Sequence, residues 1–99
     1  MTIDEVKKDL SDIQVFNSRR DFHSYMNPEL RRRMQEKVDC YLSVIKQAPF
    51  ELQALFDEVC IKGNSQIAFC VNFGYSERSV TRKMRDLENF FVKNVRLCL

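Results

Sequence analysis

Tryptophan is missing from this 99-residue chain, glycine and proline occur only twice each, and His23 is the single histidine. So few glycines and prolines cannot supply the turns that a chain of many short strands needs, and their scarcity favours long helices. The four cysteines, Cys40, Cys60, Cys70 and Cys98, never fall at the close spacing of a zinc knuckle or a redox pair. Each sits at an apolar position of a helical pattern, so they read as reduced, buried thiols and no metal site is expected. There is no phosphate-binding glycine loop and no arrangement offering His23 a nucleophile and an orienting acid. The expectation is therefore a protein that is not an enzyme and carries no cofactor. No apolar run approaches the length that spans a bilayer, and Met1–Asp12 alternates charged and apolar residues instead of forming a signal peptide. A cytoplasmic protein without a membrane partner is expected.

What is present is an ordinary globular share of apolar residues, 44%, in a chain long enough for one modest core. The net charge of +2 says little, but its distribution says more. Residues 1–30 carry four Lys/Arg against six Asp/Glu, residues 31–63 six against five, and residues 64–99 six against three. Positive charge gathers towards the carboxyl end, as a nucleic-acid surface requires, although a solvated helical face of mixed charge would look similar.

Periodicity divides this single helical domain into an amino-terminal helix and connecting segment (1–27), scaffold helices (28–62), a two-helix unit (64–91) and an apolar helix end (92–99). Thr2-Ile3-Asp4-Glu5 matches a capping box, and Ile3, Val6, Leu10 and Ile13 follow at helical spacing to about Phe16. That helix reads as a cover for the core, or else as an arm docking on a partner. Asn17–Asn27 breaks the period, but Phe22, Tyr25 and Met26 predict that it packs across the domain. Asn27-Pro28 then starts a helix whose stripe, Leu30, Met34, Val38, Tyr41, Leu42 and Ile45, runs to about Gln47. Arg31, Arg32 and Arg33 point about 100° apart on it, so at most two can address one surface. Pro49 restarts the helix, with Phe50, Leu52, Leu55, Phe56, Val59 and Cys60 as its apolar face, and Lys62-Gly63 ends it. Strand signals are absent. The fold class is all-α, about five helices.

The stretch Gly63–Phe91 reads as a short helix, a turn at Gly74 and a longer basic helix, the outline of a helix-turn-helix. Phe69 supplies the apolar residue of the first helix, Cys70 the small one, and Phe73 the next core contact. Gly74 tolerates the positive φ of the turn, Tyr75 closes it and Ser76 caps the second helix. Val80, Met84, Leu87 and Phe91 form the buried stripe of that helix. Glu77, Arg78, Thr81, Arg82 and Arg85 are left outside near its start. Arginine there can pair with guanine or clamp phosphate, Thr81 can touch either, and Arg78 and Lys83 suit backbone phosphate. With Ser65 and Gln66 at the start of the first helix and Ser76 at the start of the second, these residues form the candidate DNA-binding set. The competing account is a helical bundle in which a glycine happens to fall at this place.

The order Ile45 … Pro49 … Leu55 … Lys62-Gly63-Asn64-Ser65 … Gly74-Tyr75-Ser76-Glu77-Arg78-Ser79-Val80-Thr81-Arg82 resembles the promoter-reading fourth region of bacterial sigma factors. It resembles more closely the small phage and prophage transcription regulators that reuse that region, the autolysin-regulator-like group. The likeness runs from about Val38 to Phe91. It departs at Cys70, where alanine is usual, and at Ile67-Ala68, which falls two residues earlier than the family's pattern. The resemblance implies a helix-turn-helix regulator that binds double-stranded DNA and acts with RNA polymerase. A second reading keeps the same fold but uses it, or the apolar tail, to bind a host protein such as polymerase or a defence nuclease. Phe90, Phe91, Val95, Leu97, Cys98 and Leu99 make the last helix end unusually apolar. It would either dock on the amino-terminal helix or form a homodimer seam through the C-terminal helix.

Overall fold

The first helix is started by its own cap. In the computed structural model, which describes residues 1–95, the Thr2 hydroxyl accepts the Glu5 N–H at 3.2 Å, and the Glu5 carboxylate accepts the Thr2 N–H at 3.2 Å. This reciprocal pair satisfies two of the amides left over at a helix start and opens α1, Ile3–Ser18. A short 3-10 helix, Arg20–Tyr25, follows. The Asn27 side chain then accepts the N–H groups of Glu29 and Leu30, and Pro28 begins α2, Pro28–Ile45. Next come α3, Phe50–Leu55, a π-helical continuation, Phe56–Ile61, α4, Gln66–Phe73, and α5, Glu77–Asn94. The described residues are all-helical, with no strand.

α5 lies at the centre of the packing and touches α1, α2, α3 and α4. Its fully buried Phe91 ring lies 4.7 Å from Tyr41 of α2 and 5.3 Å from Phe56, centroid to centroid. Leu55, Leu87, Val6, Ile13 and Val95 close around this aromatic group. Phe91 and Val95 are thus consumed by the protein's own core, with α1 and α2 as their cover, while Phe90 stays half-buried. Leu97, Cys98 and Leu99, the remainder of the apolar end, lie outside the described residues.

α1 and α2 are also joined by a polar seam. The buried Tyr41 hydroxyl donates to Asp9 at 2.7 Å, and Lys37 bridges Asp9 at 3.0 Å and Asp12 at 3.7 Å. Burial and the facing carboxylate push the Tyr41 phenol well above its ordinary pKa, so it stays a donor at any physiological pH. Burial likewise pushes the Cys60 thiol up to about 12, the Glu88 charge adding to it, which leaves Cys60 an inert part of the core. Cys40 and Cys70 are only half-buried.

Several expected core residues lie at the surface. Phe50 is 80% exposed because it occupies the first position of α3, before that helix reaches the core. Phe22 and Tyr25 do not pack across the domain. The 3-10 turn swings them outward, and His23 takes the inner place, stacked on Phe16 at 4.0 Å with Nε2 donating to the Phe16 carbonyl oxygen at 2.8 Å. Leu30, expected in the buried stripe of α2, is half exposed. α2 ends at Ile45, short of Gln47, and the helix begun after Pro49 widens into π geometry from Phe56.

Replacing Phe91 with alanine empties the centre of this packing. The variant is expected to lose about 3–5 kcal/mol of unfolding free energy, the usual cost of deleting a fully buried phenylalanine. Urea denaturation followed by circular dichroism measures it. A loss under about 1 kcal/mol would mean that α5 is not held by this ring.

Candidate nucleic-acid interface

The route into α4 is set by a second positive-φ glycine and a carboxylate. Gly63 adopts φ 77°, a conformation that strains any residue with a Cβ. Glu58 accepts from the Lys62 ammonium at 2.9 Å and from the Asn64 amide at 2.8 Å, which keeps its carboxyl below the ordinary range. Ser65 then caps α4, its hydroxyl accepting the Ala68 N–H at 3.0 Å. α4 ends at Gly74, φ 74°, where the N–H groups of Gly74 and Tyr75 both reach the Cys70 carbonyl oxygen. Ser76 caps α5 through the Ser79 N–H at 3.2 Å.

The turn between α4 and α5 is clamped by aromatic rings. Phe69, fully buried, stacks on Phe73 at 4.5 Å and on Tyr75 at 5.6 Å. Phe73 therefore contacts the core through Phe69 but keeps one face in water, at 45% exposure, because it sits on the last turn of α4. Lys83 lies over the Tyr75 ring, 4.9 Å from its centroid, and is ion-paired to Glu51 of α3. The Tyr75 hydroxyl donates to the same carboxylate at 3.3 Å. The Lys83 ammonium holds the Glu51 carboxyl below its usual 4.5, and Glu51 in turn raises the Lys83 pKa. Lys83 is in this way tied to the scaffold, and it differs from the other cations of α5.

Those other cations are exposed. Arg78, Thr81, Arg82 and Arg85 all face solvent. At about 100° per residue, Arg78, Arg82 and Arg85 fall within roughly 60° of one another, with Thr81 on their flank. The same rotation puts Val80, Leu87 and Phe91 on the opposite side, where they are buried. None of the three arginines pairs with a carboxylate among the described residues. Thr81 is turned onto its own helix, its hydroxyl donating to the Glu77 carbonyl oxygen at 3.0 Å. Ser65 and Ser76 spend their oxygens on caps, while Gln66 is exposed beside Ile67, Cys70, Glu77, Val80 and Thr81 in the cleft between α4 and α5. Missed by sequence reasoning are Ile67 and Val71, 63% and 77% exposed, one turn apart on α4. Their i, i+4 spacing, off the phase of Phe69, carries that signal.

No protein-family model matches this chain, and comparison with curated proteins and with solved structures likewise finds no match. Among the described residues, no group of three or more His, Cys, Asp or Glu side chains is placed to hold a metal ion. No described helix is long and apolar enough to cross a membrane.

The tie between Glu51 and Lys83 has a pH signature. Because the folded Glu51 carboxyl titrates below its ordinary 4.5, its stabilisation is full above that value and disappears as pH falls through the depressed folded pKa. The melting temperature of the wild type should exceed that of Lys83→Met near neutrality, and the gap should close on acidification below 4.5. A gap unchanged far into the acid range would show that Lys83 acts there by packing alone.

Proposed function

We propose that α4, the Gly74 turn and α5 form a helix-turn-helix, and that the protein is a sequence-specific DNA-binding transcription regulator. α5 would enter the major groove with its first turns. The observation that carries this reading is the one-sided stripe of Arg78, Arg82 and Arg85, exposed and without a carboxylate partner among the described residues. Unneutralised guanidinium groups on one helical face suit phosphate oxygens and guanine edges. The resemblance to the fourth region of sigma factors, and to phage regulators that reuse it, supports the same assignment. Arg82 and Arg85 would make the main contacts, with Arg78 and Thr81 beside them. Ser65, Gln66 and Ser76 mark helix starts whose free amide ends favour phosphate. Lys83 positions the unit through Glu51 and contributes less to binding than the arginines.

Selection from a randomised duplex pool, repeated across a salt series, tests the reading. One enriched motif is expected, with affinity falling steeply as salt rises. Arg82→Ala combined with Arg85→Ala should weaken binding at least about 30-fold, from roughly 1 kcal/mol or more for each arginine. The slope of log affinity against log salt should also flatten by about 0.9 for each phosphate that the variant no longer neutralises. Absence of any enriched motif, with only weak low-salt binding, would end the DNA reading.

A second reading is favoured by Ile67 and Val71. Apolar side chains exposed one turn apart on α4 suit a protein surface better than phosphate. On that reading the unit is an adaptor or inhibitor that binds a host protein such as polymerase. Ile67→Ser with Val71→Ser would then abolish partner binding, whereas the arginine variants would leave it intact.

A further inference from the structure

Four of the helices open with a glutamate in the first turn: Glu5 in α1, Glu29 in α2, Glu51 in α3 and Glu77 in α5. A negative charge there suits the amide end of any helix, so the position alone says nothing. What the carboxylates touch says more. Glu5 accepts from Thr2, Glu29 from Arg33 at 2.8 Å, and Glu51 from Lys83 and Tyr75. Glu77 is exposed, and its carboxylate has no partner among the described residues. Its own helix supplies none, because Val80 and Thr81 occupy the places three and four residues on. The cleft that it borders with α4, about 180 Å³, is lined by Gln66, Ile67, Cys70, Val80 and Thr81, and no cation is among them.

Such a carboxylate is out of place on a surface built only for phosphate. At about 100° per residue, Glu77 lies about 40° from Thr81, on the flank of the arginine stripe. Where the second helix of a helix-turn-helix lies in the major groove, its first residues reach the base edges. Arg85, eight residues on, lies about 12 Å further along the helix axis, which is about the width of that groove. With Glu77 over a base edge, Arg85 therefore reaches the phosphates at the groove wall. A carboxylate only accepts hydrogen bonds, and the groove offers it two donors, the N4 amino group of cytosine and the N6 amino group of adenine. Adenine sets its N7 acceptor beside that amino group, where it repels the second carboxylate oxygen, and cytosine does not. Guanine and thymine present acceptors instead. We infer that Glu77 is a specificity-determining residue that reads cytosine at one position of the DNA site. This rests on the helix-turn-helix reading above and deepens it: the arginines supply the attraction, and Glu77 rejects the other three bases at its position.

The test is selection from the randomised duplex pool with the whole protein, its Glu77→Gln variant and its Glu77→Ala variant. The wild-type motif should contain one cytosine whose replacement by any other base weakens binding at least about fivefold. Glu77→Gln should move the preference at that position to adenine, whose N6 and N7 suit a carboxamide. Glu77→Ala should level the four bases there and keep the rest of the motif. Ser76 still caps α5 in both variants, and circular dichroism checks that the helices are kept. A motif with no such cytosine, or one read alike by wild type and Glu77→Ala, would overturn the inference and leave the DNA reading standing. Variants that bind every sequence more tightly by one common factor would overturn it too, since Glu77 would then act only by repelling phosphate. Absence of any enriched motif removes both readings.

Discussion

The seat of Phe91 between Tyr41 and Phe56 governs the rest of the arrangement. A helix buried along one stripe has its remaining faces decided for it, because successive residues turn by a constant angle. Once Val80, Leu87 and Phe91 are inside, Arg78, Arg82 and Arg85 must lie outside and together. The basic face is therefore a consequence of the core. It is held as firmly as the core holds α5, which touches four other helices. Tyr41 links this to α1 as well, since its hydroxyl is tied to Asp9 and Asp9 to Lys37.

The turn that precedes α5 is rigid for a different reason. Gly74 allows the backbone to reverse, but the reversal is held by Phe69, stacked on the rings of both Phe73 and Tyr75. Lys83 then caps Tyr75 and reaches Glu51, so α3, the turn and α5 meet in one cluster. A cation used in this way is partly neutralised and poorly placed to release counterions from a polyanion. Counting basic residues along α5 overstates its electrostatic reach. What matters is which of them lack a carboxylate neighbour, and that is a property of the packing of α3 against α5.

Much of the fold was legible because its signals are local. The Thr2–Glu5 capping box, Asn27-Pro28, Gly63, Gly74 and Ser76 each act within a few residues, and each marks an element boundary in the structure. The stripe Val80–Leu87–Phe91 follows from helical periodicity alone. Failures occurred where burial depends on distant partners. Phe22, Tyr25 and Phe50 are as apolar as the core residues, but no element covers them. The π-helical turn over Phe56–Ile61 was hidden because Leu52, Leu55, Phe56, Val59 and Cys60 fit ordinary helical spacing. At the candidate site, the arginine stripe could be read from the order of residues. The capture of Lys83 by Glu51, thirty-two residues away, could not.

Two of the exposed features that the core leaves behind lie on different elements. The basic stripe belongs to α5, and an apolar groove to α1, the 3-10 helix and α2. The elements that carry them meet in the core, where α1 and α2 pack directly against α5. Allosteric coupling would need an element with two arrangements that both sites bias. The polar seam of Tyr41, Asp9 and Lys37 and the aromatic core hold α1, α2 and α5 in one.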